Sequence, residues 1–384
     1  MKHYHYIFTG TGAAALMTAY EMVLSGKFKN KSILLIDLDA KKTNDRTWCF
    51  WEEKNSPWDS IVTQKWSHAL FKDVALETDI TFDPYVYKMI QGIDFYNYIF
   101  TILTAETNIT FIQQAVVNFV AHDDHVIVRT EQENFKADKV FNSIYQPKWT
   151  ENNKKYPLIQ QHFVGWYIKT NTTSFNPNKA TFMDFSVPQN GNTRFMYVMP
   201  LTANEALVEY TLFSHQLLKL EEYESALKEY LLQLGITEYE ITETEKGSIP
   251  MTAYPFWKHN SKHILHIGTA GGWTKASTGY TFMNSHRKSK SLIQYLEHHS
   301  DLSHFYKKNK FWYYDVLLLY ILDQKNSLGS KIFSSLFQKG NSTLIFKFLD
   351  EKTTFMEDLK VISKCPKKPF IWALFYHIRN LLNL

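Results

Sequence analysis

Two short apolar runs near the start of the chain, Tyr6-Ile7-Phe8-Thr9 and Ser32-Ile33-Leu34-Leu35-Ile36, have the length of buried strands. Between them Leu16, Ala19, Tyr20 and Val23 recur on one face of a 3.6-residue period, so the pattern predicts strand, helix, strand. Tyr85 to Leu103 carries a second helical period, anchored by Tyr87, Ile90, Ile93, Phe95, Ile99 and Ile102. From Ile109 to Ile144 the period switches to two, with a hairpin turn at Ala121-His122-Asp123-Asp124. The last run of this stretch, Asp138 to Asn142, reads as a strand returning to the first sheet.

Gln146 to Tyr156 is polar, contains Pro147 and reads as a linker. Four strand-like runs follow: His162–Thr170, Lys179–Val187, Thr193–Pro200 and Ala206–Ser214. Asn-Pro-Asn, Gln-Asn-Gly and Thr-Ala-Asn turn signals separate them, which predicts an antiparallel sheet. Leu217 to Leu234 is an amphipathic helix suited to cover it. His263 to Ile267 is a further strand, followed by a glycine-rich turn and a helix from about Tyr280 to His298. From about Asp301 the strand signal disappears. Phe311 to Leu322 is apolar almost all round, and Phe370, Leu374, Ile378, Leu381 and Leu382 form a stripe behind Lys364, Lys367 and Lys368. That stripe suits an interfacial helix and equally a packed C-terminal helix.

The turn between the first strand and helix is Gly10-Thr11-Gly12-Ala13-Ala14-Ala15, a G-x-G-x-x-A sequence. Gly10 permits the tight turn, and Gly12 lacks the Cβ that would block a phosphate. Ala13 and Ala15 keep the turn small, Ala15 letting the helix sit close to the strand. Free amides and the helix dipole then face an anion. Asp37 closes the second strand, placed to accept from ribose hydroxyls, with Asp39 as the second choice. An ordinary turn also uses small residues, but strand, turn, helix and terminal acid together indicate a dinucleotide. The second such turn runs Gly268-Thr269-Ala270-Gly271-Gly272-Trp273, then Ser277-Thr278-Gly279. Two close backbone approaches far apart in sequence suit FAD, gripped at both ends, better than NAD.

Composition narrows the classes. With 384 residues the chain has room for two domains, or one large domain with a satellite. A net charge of +4 without a dense basic block before the C-terminus argues against a nucleic-acid partner. Cys49 and Cys365 stand alone, which fits a reducing cytoplasm, and the histidines lack ligand spacing, so no metal is expected. A strand that begins almost at Met1 leaves no place for a signal peptide. No apolar run reaches the roughly 18 residues of a spanning helix. Aromatic residues make up 16% of the chain, which suits a site for a large apolar substrate.

The element order resembles the flavoprotein hydroxylase fold, in which a substrate sheet interrupts a FAD domain. Specific strings sharpen this: NDRTWCFWE from Asn44, FMDF from Phe182, FMYVMP from Phe195, LVEYT from Leu207, GSIPM from Gly247 and GTAGGWTKASTGYTF from Gly268. On these strings the chain resembles the bacterial lycopene β-cyclases nearly end to end. The resemblance implies an α/β fold with a Rossmann-type FAD-binding domain (1–80, 104–150 and 255–300). To this it adds an antiparallel substrate-binding domain (81–103 and 151–254) and a helical C-terminal region (301–384). It implies a redox-neutral closure of the ψ ends of lycopene to β-ionone rings, giving γ- and then β-carotene. FAD would be held reduced by NADH or NADPH. The expected partners are lycopene, other carotenoids with ψ ends and a bilayer surface, with the protein peripheral on the cytoplasmic side. The cofactor set is Gly10, Gly12, Ala13, Ala15, Asp37, Arg46, Gly268, Thr269, Gly271, Gly272, Ser277, Thr278 and Gly279. Two departures stand out: Tyr210 of LVEYT replaces a second acid, and Ala276 replaces a proline. Thr269 stands where hydroxylases carry an acid, as in other cyclases.

Ring closure needs a proton delivered to C2 of the ψ end, then loss of one from C6. Glu209 is the candidate acid. Alternation from Ala206 to Ser214 groups it with Leu207, Thr211 and Phe213, where desolvation would keep it protonated. The reversed face, which would put it in water, stays open because register is not fixed by sequence. Asp184 and His162 are possible bases for the C6 proton. A FAD hydroxylase or polyene reductase, and a non-enzymatic carotenoid carrier, are the competing readings. The twin cofactor turns argue against the carrier, and the acid of LVEYT favours a cyclase.

Overall fold

The computed structural model describes every residue except 54–55, 152, 154, 307 and 383–384, and leaves the side chains of residues 380–382 undescribed. The chain opens with β1 (Lys2–Thr9), α1 (Ala13–Ser25) and β2 (Ile33–Asp37). Five strands follow, β3 (Thr47–Glu52), β4 (Gln64–Trp66), β5 (His68–Asp73), β6 (Leu76–Thr81) and β7 (Val86–Gln91), then α2 (Gly92–Leu103). Next come β8 (Ile109–Gln113), β9 (Val116–Ala121), β10 (Val126–Thr130), β11 (Asn134–Asn142) and the single turn α3 (Lys148–Glu151). The central stretch holds β12 (Ile159–Lys169), β13 (Lys179–Asp184), β14 (Thr193–Pro200), β15 (Glu205–Ser214), α4 (Leu220–Gln233) and β16 (Glu240–Met251). After β17 (Ile264–His266) only helices remain: α5 (Phe282–Leu296), α6 (Lys310–Gln324), α7 (Gly329–Lys339), α8 (Ser342–Leu349), α9 (Phe355–Ile362) and α10 (Lys367–Leu382).

These elements form two compact units. The first comprises residues 1–44, 92–153 and 253–312. Its sheet has the order β8-β2-β1-β11, with β17 parallel to β11 beyond. All these pairs are parallel, and the end of β1, Ile33–Ile36 of β2, the end of β11 and β17 are buried without alternation, as in a doubly wound sheet. β10 and β9 add an antiparallel hairpin on β11, its turn at residues 122–125. Ile7, Leu34, Ile36, Val128, Val140 and Ile264 fill the core under this sheet. On its other side α1 packs on α5, where the Thr18 and Ser289 hydroxyls meet at 2.9 Å.

The second unit comprises residues 45–91, 154–252 and 313–384. Its large sheet runs β16-β12-β15-β14-β13-β5-β6. The β12–β16 part is antiparallel, as the turn signals indicate, and β5 joins β13 in parallel. Strand alternation divides the sheet into two faces. Val164, Trp166, Met196, Val198, Val208, Tyr210 and Leu212 pack beneath α4, meeting Tyr223, Leu227 and Tyr230. The odd-numbered residues of β12, β14 and β15 lie on the opposite face.

Two departures from the sequence pattern concern residues 45–103. Val86–Gln91 is a strand rather than the start of a helix, because it is central in a small sheet, paired with β3 on one edge and β4 on the other. Its Tyr87, Lys88, Met89 and Ile90 are buried in succession, and such a run has no period to tell strand from helix. Residues 45–80, grouped by sequence with the cofactor domain, belong by contact to the second unit, while 92–103 belong to the first. The C-terminal helices from Tyr313 onward belong to the second unit as well.

Candidate active site

The first unit carries the two glycine turns. β1 ends at Thr9 and the chain reverses through Gly10 at a φ of +84°, a conformation in which a side chain is strained. Gly12 begins α1 without any capping side chain, and a Cβ built on it would meet nothing within 4 Å. The open amides of the first helical turn therefore face unfilled space with the positive end of the dipole behind them. Gly268, at a φ of +60°, would bring a Cβ to 3.2 Å from Ala14 Cβ, so the second turn abuts the start of α1. A Cβ on Gly271 would collide with the His266 carbonyl. Gly272 and Gly279 adopt φ values of +68° and +74°.

Polar groups around these turns fit a polar ligand. Thr269, Thr274 and Thr281 form a chain of hydroxyls with 3.0 Å links, and Ser277 is buried. Thr278 Oγ1 is buried and has no hydrogen-bond partner, which is what a hydroxyl aimed at a bound group would show. Asp37 Oδ2 accepts from the Thr11 amide (2.5 Å) and hydroxyl (2.8 Å), and Oδ1 accepts from the Asp39 amide (2.9 Å). Asp37 thus ties the turn to β2 and keeps about one lone pair for a ribose hydroxyl. Asp39 is exposed and paired with Lys41. Arg46 lies in the second unit, where it pairs with Asp45 at 2.6 Å and sits over Trp48.

The second unit carries a pair of acids. Tyr197 of β14, Glu209 of β15, Gly165 of β12 and Glu245 of β16 are register partners in one row across four adjacent strands. A Cβ on Gly165 would stand 3.4 Å from Glu209 Cβ and 3.3 Å from Glu245 Cγ. The missing side chain is the gap across which the two carboxyl groups meet. Thr211 Oγ1 donates to Glu209 Oε1 at 2.5 Å. Thr47 Oγ1 donates to Glu245 Oε2 at 2.6 Å while meeting the Tyr167 hydroxyl at 2.6 Å. Glu245 is buried. Glu209 is half-buried.

Burial, followed by the neighbouring Glu245 charge, pushes Glu209 up to about 8 against the opposing Thr211 hydrogen bond. Burial also raises Glu245, while hydrogen bonds from Thr47 and Glu209 pull it back. The Glu245 charge raises Glu209 while the hydrogen bond from Glu209 lowers Glu245, so of the two Glu209 is the acid that keeps its proton to the higher pH. Cys49, on β3, is pushed up by burial and then by the same two carboxylates. Thr47 and Cys49 both come from the NDRTWCFWE string, which sequence alone left as a loop or a core segment. Rings line this side of the sheet: Tyr197 meets Phe195 and Phe182 edge-on at 5.2 and 6.0 Å, and Phe195 meets Phe213.

Both bases considered from sequence lie on the other face. His162 bonds Ser214 Oγ at 2.7 Å and the Tyr223 hydroxyl of α4 at 2.5 Å, and burial followed by Arg194 lowers it to about 4. Asp184 accepts from the Tyr230 hydroxyl of α4 at 2.9 Å. His162 pairs with Leu212, and Asp184, beyond a register shift after Thr181, pairs with Met196, both residues of the face beneath α4, so neither group shares the Glu209 face. Glu245 was missed because no local motif marks it. Its only trace is adjacency to GSIPM, and its pairing is long-range. Among the described residues no group of His, Cys, Asp and Glu gathers as metal ligands.

With this geometry in hand, comparison with known proteins is informative. The family described as "Lycopene cyclase protein" matches residues 6–374. A lycopene β-cyclase of Paracoccus sp. is 29% identical over 126 residues, about 32% of each chain, so the match spans about a third of that relative's length. Among solved structures, a flavoprotein/dehydrogenase from Cytophaga hutchinsonii superposes with a TM-score of 0.62 at 11% identity, covering 100% of both chains. A geranylgeranyl bacteriochlorophyll reductase-like protein from Thermoplasma acidophilum gives 0.58 at 12% identity, covering 98% and 100%. A mutant of the halogenase PltM in complex with FAD gives 0.60 at 10% identity, covering 97% and 85%. At such identities the likeness establishes a shared fold.

Proposed function

Because the chain belongs to the lycopene cyclase family, we propose that it is a redox-neutral, FAD-dependent lycopene β-cyclase with Glu209 as the acid. The observation that carries this reading is the carboxyl pair Glu209–Glu245, with Glu209 pushed up to about 8, on an aromatic-lined sheet face. An alkene is a very weak base, so protonating it calls for an acid shielded from water and still protonated at neutral pH. Glu209 meets both conditions. It would deliver its proton to C2 of the ψ end, and the rings of Tyr197, Phe195 and Phe182 offer π faces to the tertiary cation that closes the ring. Loss of the C6 proton then completes the ring, with no electron gained or lost.

FAD would be held by Gly10, Gly12 and Asp37 at one turn and by Gly268, Gly271, Gly272, Thr278 and Gly279 at the other. When bound and reduced by NAD(P)H, it would supply negative charge to balance the cation. Lycopene dissolves in bilayers, so we place the protein peripherally on a membrane. No helix among the described residues is long and apolar enough to cross one. α10 turns Ala373 and His377 inward, with Tyr376 and His377 against Tyr320, and leaves Ile371, Leu374, Phe375 and Ile378 exposed. The side chains of Leu381 and Leu382, which complete the sequence stripe, lie outside the described residues. Exposed Phe355, Met356 and Leu359 of α9, with Lys364, Lys367 and Lys368 nearby in sequence, suit the same surface.

The test is expression in lycopene-accumulating cells with identification of the pigment. It is followed by an anaerobic assay on lycopene in liposomes. Rings should form with NAD(P)H needed only in catalytic amount. One NAD(P)H oxidised per ring, or a need for oxygen, would assign the chain to the polyene reductases or hydroxylases instead.

A further inference from the structure

We infer that Glu245 is a positioning residue, which holds the transferable proton on Glu209 across the gap left by Gly165. This rests on the reading of Glu209 as the acid, and it assigns the two carboxyl groups different tasks. Three features of the geometry separate them. First, the row Glu209–Gly165–Glu245 puts a residue without a side chain between two acids, on the one strand that pairs with both of theirs. Any larger residue at 165 would come within about van der Waals distance of both. Second, their donors differ. Glu245 Oε2 receives a hydroxyl relay, Tyr167 to Thr47 to carboxylate, whose donor ends all point toward the anion. Glu209 receives one hydroxyl, from Thr211. Third, Glu245 is buried and Glu209 only partly so. An anion fixed by donors at the rear, and a protonated acid in front, follow from that arrangement.

The titratable and charged groups around the pair complete the account. They are Cys49 and Arg46 from β3 and the residue before it, Tyr167 from β12, Tyr197 from β14, Glu243 from β16, and Tyr87 of β7 against Cys49. Arg46 favours the Glu245 anion and Glu243 opposes it. The buried Cys49 thiol and Tyr167 phenol are both pushed up and stay neutral.

The sign follows. With Glu245 ionised, Glu209 stays protonated up to about 8. Glu245→Gln removes the like charge while keeping an acceptor for Thr47, so Glu209 must then ionise at lower pH. We would measure the protonated-carboxyl infrared band of the FAD-loaded protein against pH, without substrate, together with the pH profile of ring formation. In the wild type the band should titrate near pH 8 and vanish in Glu209→Gln. In Glu245→Gln its midpoint, and the alkaline limb of kcat/KM, should move down together by about one pH unit or more. Glu245→Asp should restore part of the shift. Gly165→Ala, which needs the flexible end of Leu207 to yield and Glu245 Cγ to give by a few tenths of an ångström, should split the pair and move the midpoint the same way. An unmoved band in both Glu245→Gln and Gly165→Ala, or no protonated band at pH 7 in the wild type, would overturn the assignment. A wild type that shows the band but makes no rings from lycopene would instead sink the cyclase reading and leave the pair standing.

Discussion

Replacing Glu209 with Gln should stabilise the protein and disable the enzyme in one step. The unfolded chain loses the Glu209 proton near 4.5, and the native protein keeps it to about 8. Between those values the native state binds more protons than the unfolded one, so stability falls as pH rises through that window. At about 1.4 kcal/mol per pH unit, the cost accumulated by pH 7 has a ceiling of about 3 kcal/mol. Gln does not titrate and imitates the protonated acid. Its carbonyl accepts from Thr211, and its amide donates toward Glu245. The variant should therefore equal the wild type near pH 4.5 and exceed it by about 1–3 kcal/mol at pH 7. Urea denaturation of both proteins at pH 5, 6, 7 and 8 reads this directly. Ring formation should drop at least about 100-fold, since Gln cannot pass a proton to carbon. A stability difference that ignores pH would show that Glu209 is not protonated in the native state. Near wild-type ring formation would place the acid elsewhere.

Two further outcomes follow from the other sites. Gly12→Val puts a branched side chain in the open space before α1 and should yield a protein purified with little or no yellow flavin; full flavin occupancy would refute the placement of the pyrophosphate there. Ile371→Glu with Phe375→Glu changes two exposed α10 residues and should reduce sedimentation with lipid vesicles about tenfold or more, with the fold intact by circular dichroism; unchanged partitioning would remove α10 from the membrane surface.

What could be read from the sequence is what local chemistry dictates. Gly10 announces a turn because its positive φ strains any side chain, and Gly12 leaves open space before α1, while the strand and helix around them follow from period alone. The company of Glu209 was readable too, since alternation along β15 groups it with Leu207, Thr211 and Phe213 however the strand pairs, but the side to which that face turns was not. The partners were not readable. Glu245 meets Glu209 only because β12 pairs with β15 on one edge and β16 on the other, and neither register is written in any single strand. Thr47 reaches Glu245 through tertiary packing of β3, from a string whose own pattern is ambiguous. Val86–Gln91 defeated periodicity for a related reason, since a strand paired on both edges and buried on both faces has no polar beat.

The same alternation accounts for the tyrosine at 210, where the resemblance leads one to expect a second acid sharing the work of Glu209. Adjacent residues of a strand point to opposite faces, and Tyr210 lies beneath α4, its hydroxyl accepting from Arg194 Nη1 at 3.2 Å. No side chain at 210 can reach the Glu209 carboxyl without a register slip, so the second acid has to come from another strand, and Glu245 supplies it. Tyr210→Phe should therefore leave ring formation per bound flavin within about twofold of wild type. Its cost should appear in stability. Arg194 Nε already lacks a hydrogen-bond partner, and removing the phenol oxygen deprives a buried guanidinium of one more, worth about 1–3 kcal/mol. The two readouts separate the faces of the sheet. If Tyr210→Phe lost activity to the extent expected of Glu209→Gln while keeping its stability, the chemistry would lie on the α4 side, and the Glu209–Glu245 row would not be the active site.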